Sequence, residues 1–304
     1  MTIPVIPGVH VVFHRICFIS VSIMAFSGVF SGSGTLAAAA DDLTEGLVFL
    51  APFDGGFDAV VGVDRRLCTA ENLKREVIVP GNLRKDVQIV TGGGRHGDAL
   101  RFSDGAATQV TMFRGSNSGY RAQNWSGTVS MWLRLSPDED LKPGYCDPLQ
   151  ITDKEWNNAA FFVDFDKDLP RVFRLGVFPD FRTWNPKETP WEQIAVGDRP
   201  MVPVSRPPFR RTEWTHVAWT FSGLNSGGAE GTAELYLNGR SMGALRRPMT
   251  FTWQLDKTAI MLGIAYTGDF DELSIHDRAL SAGEIDALYR LPKGLTPLVT
   301  AKSR

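Results

Sequence analysis

The sequence predicts an all-β protein, an antiparallel β-sandwich with one short helix near its carboxyl end. Short segments of alternating apolar and polar residues recur along the chain, and Gly, Asn, Asp and Pro separate them. No helical segments alternate with these strands, as they would in an α/β fold. Two packed antiparallel sheets are therefore expected.

The strand signal is clearest in two segments. In "GTVSMWLRL", Val129, Met131 and Leu133 alternate with Ser130 and Trp132, which is the two-residue period of a strand buried on one face. The segment "WTHVAWTF" carries bulky residues on both faces, which predicts a central strand. Further strands are expected at residues 47–53, 99–102, 161–165, 172–178, 260–264 and 270–275.

A hairpin and a helix are also predicted. In "GTAELYLNGRSMGAL", Asn238-Gly239 supplies the two positive-φ positions of a tight turn between two strands. In "SAGEIDALYR", Ser281 and Glu284 have the spacing of a capping box, and Ile285, Leu288 and Tyr289 share one face of the following helix. The tail after Pro292 is predicted to be coil.

The amino-terminal residues have the order of a secretory signal. A weakly basic start is followed by a short apolar run and by the small residues Ala38 and Ala40, which predicts cleavage after residue 40. A retained membrane anchor is the alternative, but serines and glycines interrupt the run. We expect a signal peptide at 1–40, one domain at 41–292 and a tail at 293–304, with the mature protein exported and not inserted in a membrane.

Charge and cysteine content narrow the function classes. With 32 Lys and Arg against 34 Asp and Glu, the chain shows no basic excess that would indicate a nucleic-acid or anionic-membrane partner. Outside the signal only Cys68 and Cys146 remain. After export they can form one disulfide if the fold brings them together, which the sequence does not decide.

Residues 179–211 interrupt the strand pattern with seven prolines, so they predict a long ordered loop or lid rather than central strands. Aromatic and planar polar side chains in and near this segment have the composition of a sugar-binding platform. The alternative is that the tryptophans fix the loop to the sandwich. The candidate ligand-binding residues are Trp156, Trp184, Trp191, Arg182 and Asn185.

Taken in order, six segments resemble the laminin G-like, concanavalin A-like lectin/glucanase jelly rolls. They are "LVFLAPFDG", "GDALRFSDG", "WSGTVSMWLRLSP", "EWTHVAWTFSG", "GTAELYLNG" and "GDFDELSIHDRALSAGEIDALY". The resemblance covers residues 47–291 and implies two curved antiparallel sheets, extracellular use and recognition of carbohydrate or protein. The insertions at 179–211 and around "GYCDPLQITDKEWNNAAFF" depart from the shorter family pattern.

The carboxylate-rich segment "GDFDELSIHD" is a candidate active site. Asp269 and Asp271 would lie about 6.5–7 Å apart on one face of a strand, a spacing that an inverting glycosidase can use. Leu273 and Ile275 are expected to face the core, which would turn Asp271 inward and Glu272 outward. The glutamate-rich arrangement of the glucanases is missing, so a structural role is favoured over catalysis.

A calcium site is the remaining chemical interpretation of this segment. The resemblance implies that the first and last strands are neighbours, which would bring Asp54 near Asp269 and Asp271. Carboxylate and carbonyl oxygens suit Ca²⁺. The alternative is a network of Asx turns around the glycines.

Together these patterns predict an exported, non-catalytic module that binds a glycan or a surface protein. A polysaccharide hydrolase or lyase on the same fold is the first alternative. A structural domain for cell-surface assembly is the second.

Overall fold

The computed structural model describes residues 43–302, and the predicted signal peptide at 1–40 lies outside them. Within that range sixteen strands form two eight-stranded antiparallel sheets that pack face to face. This arrangement confirms the predicted antiparallel sandwich. Among the same residues, no helix combines the length and the apolar character that crossing a bilayer requires.

Sheet A has the strand order β14-β13-β12-β7-β16-β5-β4, with β1 pairing to the far end of β16. The first and last strands are therefore neighbours, as the resemblance implied. The strands of sheet A are β1 (Leu47–Ala51), β4 (Val87–Val90), β5 (Ala99–Phe102), β7 (Trp125–Arg134), β12 (Thr215–Leu224), β13 (Glu230–Leu237), β14 (Arg240–Pro248) and β16 (Gly268–His276).

Sheet B has the order β11-β10-β9-β8-β15-β6-β2-β3. Its strands are β2 (Cys68–Ala70), β3 (Ile78–Pro80), β6 (Val110–Arg114), β8 (Cys146–Thr152), β9 (Ala160–Phe165), β10 (Phe173–Phe178), β11 (Met201–Val204) and β15 (Ala259–Ile264). Four short helices complete the described chain: α1 (Pro137–Asp140), α2 (Phe181–Trp184), α3 (Ala282–Arg290) and α4 (Thr296–Lys302).

The core lies between the sheets and consists of the alternate apolar residues of both. Trp125 is at its centre, with its ring centroid 4.7 Å from that of Phe221 and 4.9 Å from that of Trp253. Aromatic side chains bury about 150–250 Å² each and supply much of the stabilisation of such a core. The side chains that alternate with these core residues project from the two outer faces of the sandwich.

The predicted hairpin and capped helix are both present. Asn238 and Gly239 have φ values of 50° and 75° and connect β13 to β14. Ser281 accepts the backbone N–H of Glu284, whose carboxylate accepts the N–H of Ser281 in return. The tail prediction is wrong in part, because residues 296–302 form α4 rather than coil.

Leu273 and Ile275 of "GDFDELSIHD" face the core as predicted, but the predicted inward facing of Asp271 is wrong, because β16 contains a bulge. Glu272 has φ of 52°, and the pairing to β7 shifts register between Asp271 and Ser274. The extra residue reverses the alternation, so Phe270, Leu273 and Ile275 face the core while Asp271 lies on the outer face opposite Trp132.

The proline-rich segment 179–211 is more than a loop. It contains α2, two 3₁₀ turns (Trp191–Gln193 and Val196–Asp198) and β11, the edge strand of sheet B. Pro203 is tolerated in β11 because an edge strand can lack a ladder donor. Phe209 reaches the core beside Phe165, with ring centroids 5.0 Å apart, and anchors the end of the segment.

Cys68 and Cys146 are free and buried, so the disulfide considered from sequence does not form here. Cys68 is on β2 and Cys146 on β8, with β6 and β15 between these strands. Three strand spacings separate the two residues by about 14 Å, twice the largest Cα separation that a disulfide spans. Cys146 also faces the core, whereas Cys68 is in a cluster on the outer face.

The bulge residue Glu272 is buried beneath the chain that leads into α4. One carboxylate oxygen accepts the N–H of Leu295 at 3.2 Å, and the other has no hydrogen-bond partner. Gly294 turns with φ of 64° directly against the carboxyl group, leaving no room for a Cβ. Burial raises the pKa of Glu272 to about 7.

We predict that Glu272→Gln becomes more stable relative to the wild type by about 2 kcal/mol as the pH rises from 5 to 7. At a pH between the unfolded-state and folded-state pKa values of Glu272, the carboxyl group is protonated in the folded wild type and ionised in the unfolded wild type. The free energy of unfolding of the wild type therefore falls as the pH rises through this range. The amide of the Gln variant does not ionise, so the variant does not lose this stability. Urea denaturation of both proteins at the two pH values measures the difference. Glu230→Gln, an exposed control, should differ from the wild type in free energy of unfolding by the same amount at both pH values. The same pH-independent difference for Glu272→Gln would contradict the prediction.

Candidate functional site

The outer face of sheet A is closed. Helix α3 packs Ile285 and Leu288 against Ala218 and Tyr236 of β12 and β13. Tyr289 of the same helix stacks on Trp132, with ring centroids 5.7 Å apart. These contacts leave no groove over the centre of this sheet.

The histidines beneath this cover are inert. His216 and His276 are fully buried, and burial lowers their pKa values to about 3 and about 4. Nε2 of His216 bonds the Ser130 hydroxyl at 2.8 Å in the interior, where no ligand can reach it. His276, the histidine of "GDFDELSIHD", thus lies in the interior of the fold.

The predicted calcium ligands do not form a site. Asp269 is paired with Arg101 at 2.6 Å and Arg134 at 2.7 Å, and two cations neutralise the carboxylate. Asp271 instead accepts the backbone N–H groups of Arg95 and His96. Within residues 43–302, no group of three or more His, Cys, Asp or Glu side chains is arranged to hold a metal ion.

Asp54 has a structural partner as well. Its carboxylate accepts the N–H of Asp98 at 2.7 Å, and Asp98 in turn accepts the N–H groups of Gly55 and Gly92. Gly97, with φ of 60°, passes so close to Asp54 that a Cβ would overlap its carboxylate. The glycine-rich turn network considered as the alternative to calcium is what the structure contains.

The outer face of sheet B, in contrast, carries a groove of about 1130 Å³. It crosses β15, β8, β9, β10 and the edge strand β11. The turn before β8, the turn at residues 153–158, the proline-rich segment and residues 73–76 form its rim. The lining side chains that matter below are Tyr145, Asp147, Gln150, Trp156, Phe162, Asp164, Arg174 and Trp191.

One end of the groove is charged. Asp164 of β9 and Arg174 of β10 are cross-strand partners, and the guanidinium donates through Nε to Asp164 at 2.9 Å and through a second nitrogen to its other oxygen. Arg174 also contacts Asp166 at 3.1 Å and lies 5.0 Å from the ring centroid of Tyr145. A two-point Arg–carboxylate pair is rigid, so this end of the groove is preorganised.

Asp147 lies beside this pair on β8, next to Ile264 of β15. It is half-buried and has no hydrogen-bond donor among residues 43–302. Desolvation and the charge of Asp164 raise its pKa well above the ordinary value. Burial also raises the pKa of Asp164, but the two bonds from Arg174 favour its charged form. The charged form is therefore favoured on Asp164 and the protonated form on Asp147.

The other end of the groove is aromatic. Trp156 is 42% exposed, and its ring centroid is 5.4 Å from that of Trp191. The guanidinium of Arg199 lies 4.1 Å from the centroid of Trp191 and holds that ring in place. Phe162 forms the floor of the groove at this end. Its ring lies against Gly176 of the neighbouring strand, at a position where any side chain on residue 176 would overlap the ring.

Of the five predicted binding residues, Trp156 and Trp191 line the groove, and three do not. Trp184 packs edge-on against Phe178 and donates its indole N–H to the Asn157 carbonyl. Asn185, 6% exposed, uses its amide to bind both backbone groups of Thr189. The side chain of Arg182 is 88% exposed, lies 3.8 Å from Glu188 and does not line the groove. Trp184 thus fixes the proline-rich segment to the sandwich, whereas Trp156 and Trp191 stay candidates for ligand binding.

Sequence reasoning did not identify Asp147, Asp164, Arg174, Gln150 or Tyr145. A signal was present in "AFFVDF" and "FRLGVF", where a charged residue replaces an apolar one in a strand otherwise buried on both faces. Charges at such positions need a partner, and Asp164 and Arg174 are each other's partner. Strand register, which the sequence leaves open, is required to recognise the pair.

Comparison with known proteins shows the fold. None of the curated proteins searched matches the chain. Three solved structures illustrate the likeness. The receptor-binding domain of botulinum neurotoxin C/D mosaic serotype has 14% identity and a TM-score of 0.52, over 82% of this chain and 51% of the other. The binding domain of botulinum neurotoxin DC in complex with SialylT has 13% identity and a TM-score of 0.51, over 81% and 52%.

The third is domain 4 of AbnA, a GH43 extracellular arabinanase from Geobacillus stearothermophilus, in complex with arabinotriose. It has 20% identity and a TM-score of 0.48, over 80% of this chain and 98% of that one. The chain spans about half the length of the two neurotoxin structures.

A family profile agrees with the fold. The profile of the concanavalin A-like lectin/glucanases superfamily matches residues 121–286, from just before β7 into the capped helix α3. This range covers more than half of the chain and includes both the hairpin and the last strand. The chain belongs to the concanavalin A-like lectin/glucanases superfamily.

Proposed function

We propose that the protein binds an oligosaccharide in the groove on the outer face of sheet B. The observation that carries this proposal is the placement of the exposed Trp156 ring in the same groove as the polar side chains of Asp147 and Gln150. Sugars present an apolar C–H face and a rim of hydroxyl groups. An aromatic ring and a few oriented polar groups complement both.

Groove size indicates the class of ligand. A volume of about 1130 Å³ exceeds the roughly 300–1,000 Å³ of small-molecule pockets. The groove also crosses five strands, which at about 4.8 Å per spacing is about 19 Å from the first to the last. Several linked sugars fit this length better than a single ring.

We further infer that residues 41–292 act outside the cytoplasm as one binding module after removal of 1–40. The order of the amino-terminal residues supports export. A glycan ligand is consistent with that location, and a protein ligand is the outcome to consider if glycans fail.

We predict that Trp156→Ala weakens binding about tenfold or more, because it removes one face of the ligand contact, worth roughly 1–2 kcal/mol. A glycan array identifies ligands, and calorimetry compares the two proteins. Trp214, half-buried on the sheet A side beside Arg134, provides a matched control. Trp214→Ala should bind like the wild type, and equal affinity of the Trp156 variant would count against the groove.

A second candidate function, glycoside hydrolysis, is favoured by the carboxyl pair. The raised pKa of Asp147 favours its protonated form beside Asp164, inside a groove long enough for several linked sugars. In this reaction Asp147 donates its proton to the departing glycosidic oxygen as the C–O bond breaks, and Asp164 stabilises the positive charge at the anomeric carbon. Water then forms the new C–O bond and returns a proton to the Asp147 carboxylate.

We predict that, if array ligands are cleaved, Asp147→Asn lowers kcat by about 10²–10⁴-fold with little change in affinity. The rate should fall as the pH rises through the raised pKa of Asp147, because only the protonated carboxyl is a proton donor. Reducing-end assays measure both effects. If the Asp147→Asn variant keeps the wild-type rate, Asp147 is not the proton donor. If the wild type cleaves no glycan that it binds, the protein binds glycans without hydrolysing them.

A further inference from the structure

A second cavity, of about 490 Å³, adjoins the groove on the outer face of sheet B. It lies over β6 and the turn before β15, where Met112, Arg114 and Thr258 form part of its wall. Four residues line both spaces: Lys74, Arg75, Glu76 and Asp153. The groove and the cavity therefore meet at residues 74–76 and at Asp153.

Arg75 forms the partition between them. Its backbone has φ of 57°, unusual for a residue with a side chain, and this turns the side chain over the sheet. The guanidinium donates to Sδ of Met261 at 3.4 Å on β15 and to the carbonyl of Lys154 at 3.4 Å on the opposite rim. Arg75 thus bridges the sheet between residues 73–76 and the 153–158 turn.

Two buried polar atoms at this junction have no hydrogen-bond partner among residues 43–302. Nε of Arg75 makes no hydrogen bond, although the other nitrogens of the group do. Oδ1 of Asp153 also makes none, while Oδ2 accepts the N–H of Gln254 at 2.9 Å. Asp153 is 8% exposed, and the nearest cation to Oδ1 is Nζ of Lys154 at 3.8 Å, beyond hydrogen-bonding distance.

Leaving such groups unpaired costs about 1–3 kcal/mol each. One is a donor and the other an acceptor, and the residues that carry them, Arg75 and Asp153, line the same two spaces. A hydroxyl group can accept from Nε–H and donate to a carboxylate oxygen at the same time. A cation would be repelled by Arg75, and an anion by Asp153.

We propose that Arg75 and Asp153 form an inner subsite that binds a hydroxyl of a long oligosaccharide extending from the groove to the second cavity. This inference rests on the proposed function, since the groove must first hold the glycan. The groove with Trp156 binds short and long ligands alike, whereas only ligands that reach the junction gain the added contact. Affinity is therefore expected to rise stepwise with chain length.

NMR distinguishes the two sites within one titration. The indole N–H resonance of Trp156 reports on the groove, and the Nε–H resonance of Arg75 reports on the junction. The probes are linear arabino-, cello- and malto-oligosaccharides from two to six sugars. Short members should shift Trp156 only, and members above a threshold length should shift both.

Two variants test the junction without removing the groove. Asp153→Asn can keep the Gln254 contact but replaces the free acceptor with a donor, and Arg75→Lys keeps the charge but removes Nε–H. Each variant should bind long oligosaccharides about tenfold more weakly, because one hydrogen bond to a charged group is lost. The affinity for short oligosaccharides should not change. Lys85→Ala, at an exposed position that lines neither space, serves as the control.

The outcomes separate the two proposals. Shifts of Trp156 without any shift of Arg75 at all lengths would overturn the inner subsite while the groove function stands. Equal loss for short and long ligands in both variants would also overturn it, because that pattern indicates a general structural effect. No shift of either resonance with any oligosaccharide would overturn both.

Discussion

The alternation of side chains along each strand is the constraint on which this structure depends. Every strand that contributes to the core between the sheets also projects a second set of side chains outward, so each sheet has an outer face that must be polar, covered or used. On sheet A the cover is helix α3 and the loop before β5, which enclose Trp132, Asp271 and His216. In the described part of the chain, sheet B has no such cover over its central strands, and there the groove lies.

The uncovered face is held in shape by few contacts of high geometric specificity. Arg174 spans β9 and β10 through Asp164 and Asp166, which fixes the charged end of the groove. Aromatic packing fixes the other end, where the proline-rich segment contributes an edge strand beside the sheet and the ring of Trp191. A ligand would meet groups already in position, which lowers the entropy that binding would otherwise cost.

Much of the fold could be predicted from the sequence because its determinants are local. The Asn238-Gly239 turn, the Ser281 capping box and the alternation of β7 each depend on residues within a few positions of one another. The bulge at Glu272 could not be predicted, because it depends on β7 and on the chain at Gly294. One extra residue reversed the facing of Asp271. The charged groove remained hidden for a similar reason, since Asp147 and Asp164 become neighbours only through the register of β8 and β9.

The position of a bound glycan gives the most direct test of the open face of sheet B as the functional surface. A crystal structure of the protein with the tightest-binding array oligosaccharide should place sugar rings against Trp156, with hydroxyl groups near Asp147 and Gln150. Sugar density over helix α3, or at the loop tips away from sheet B, with an empty groove would contradict it.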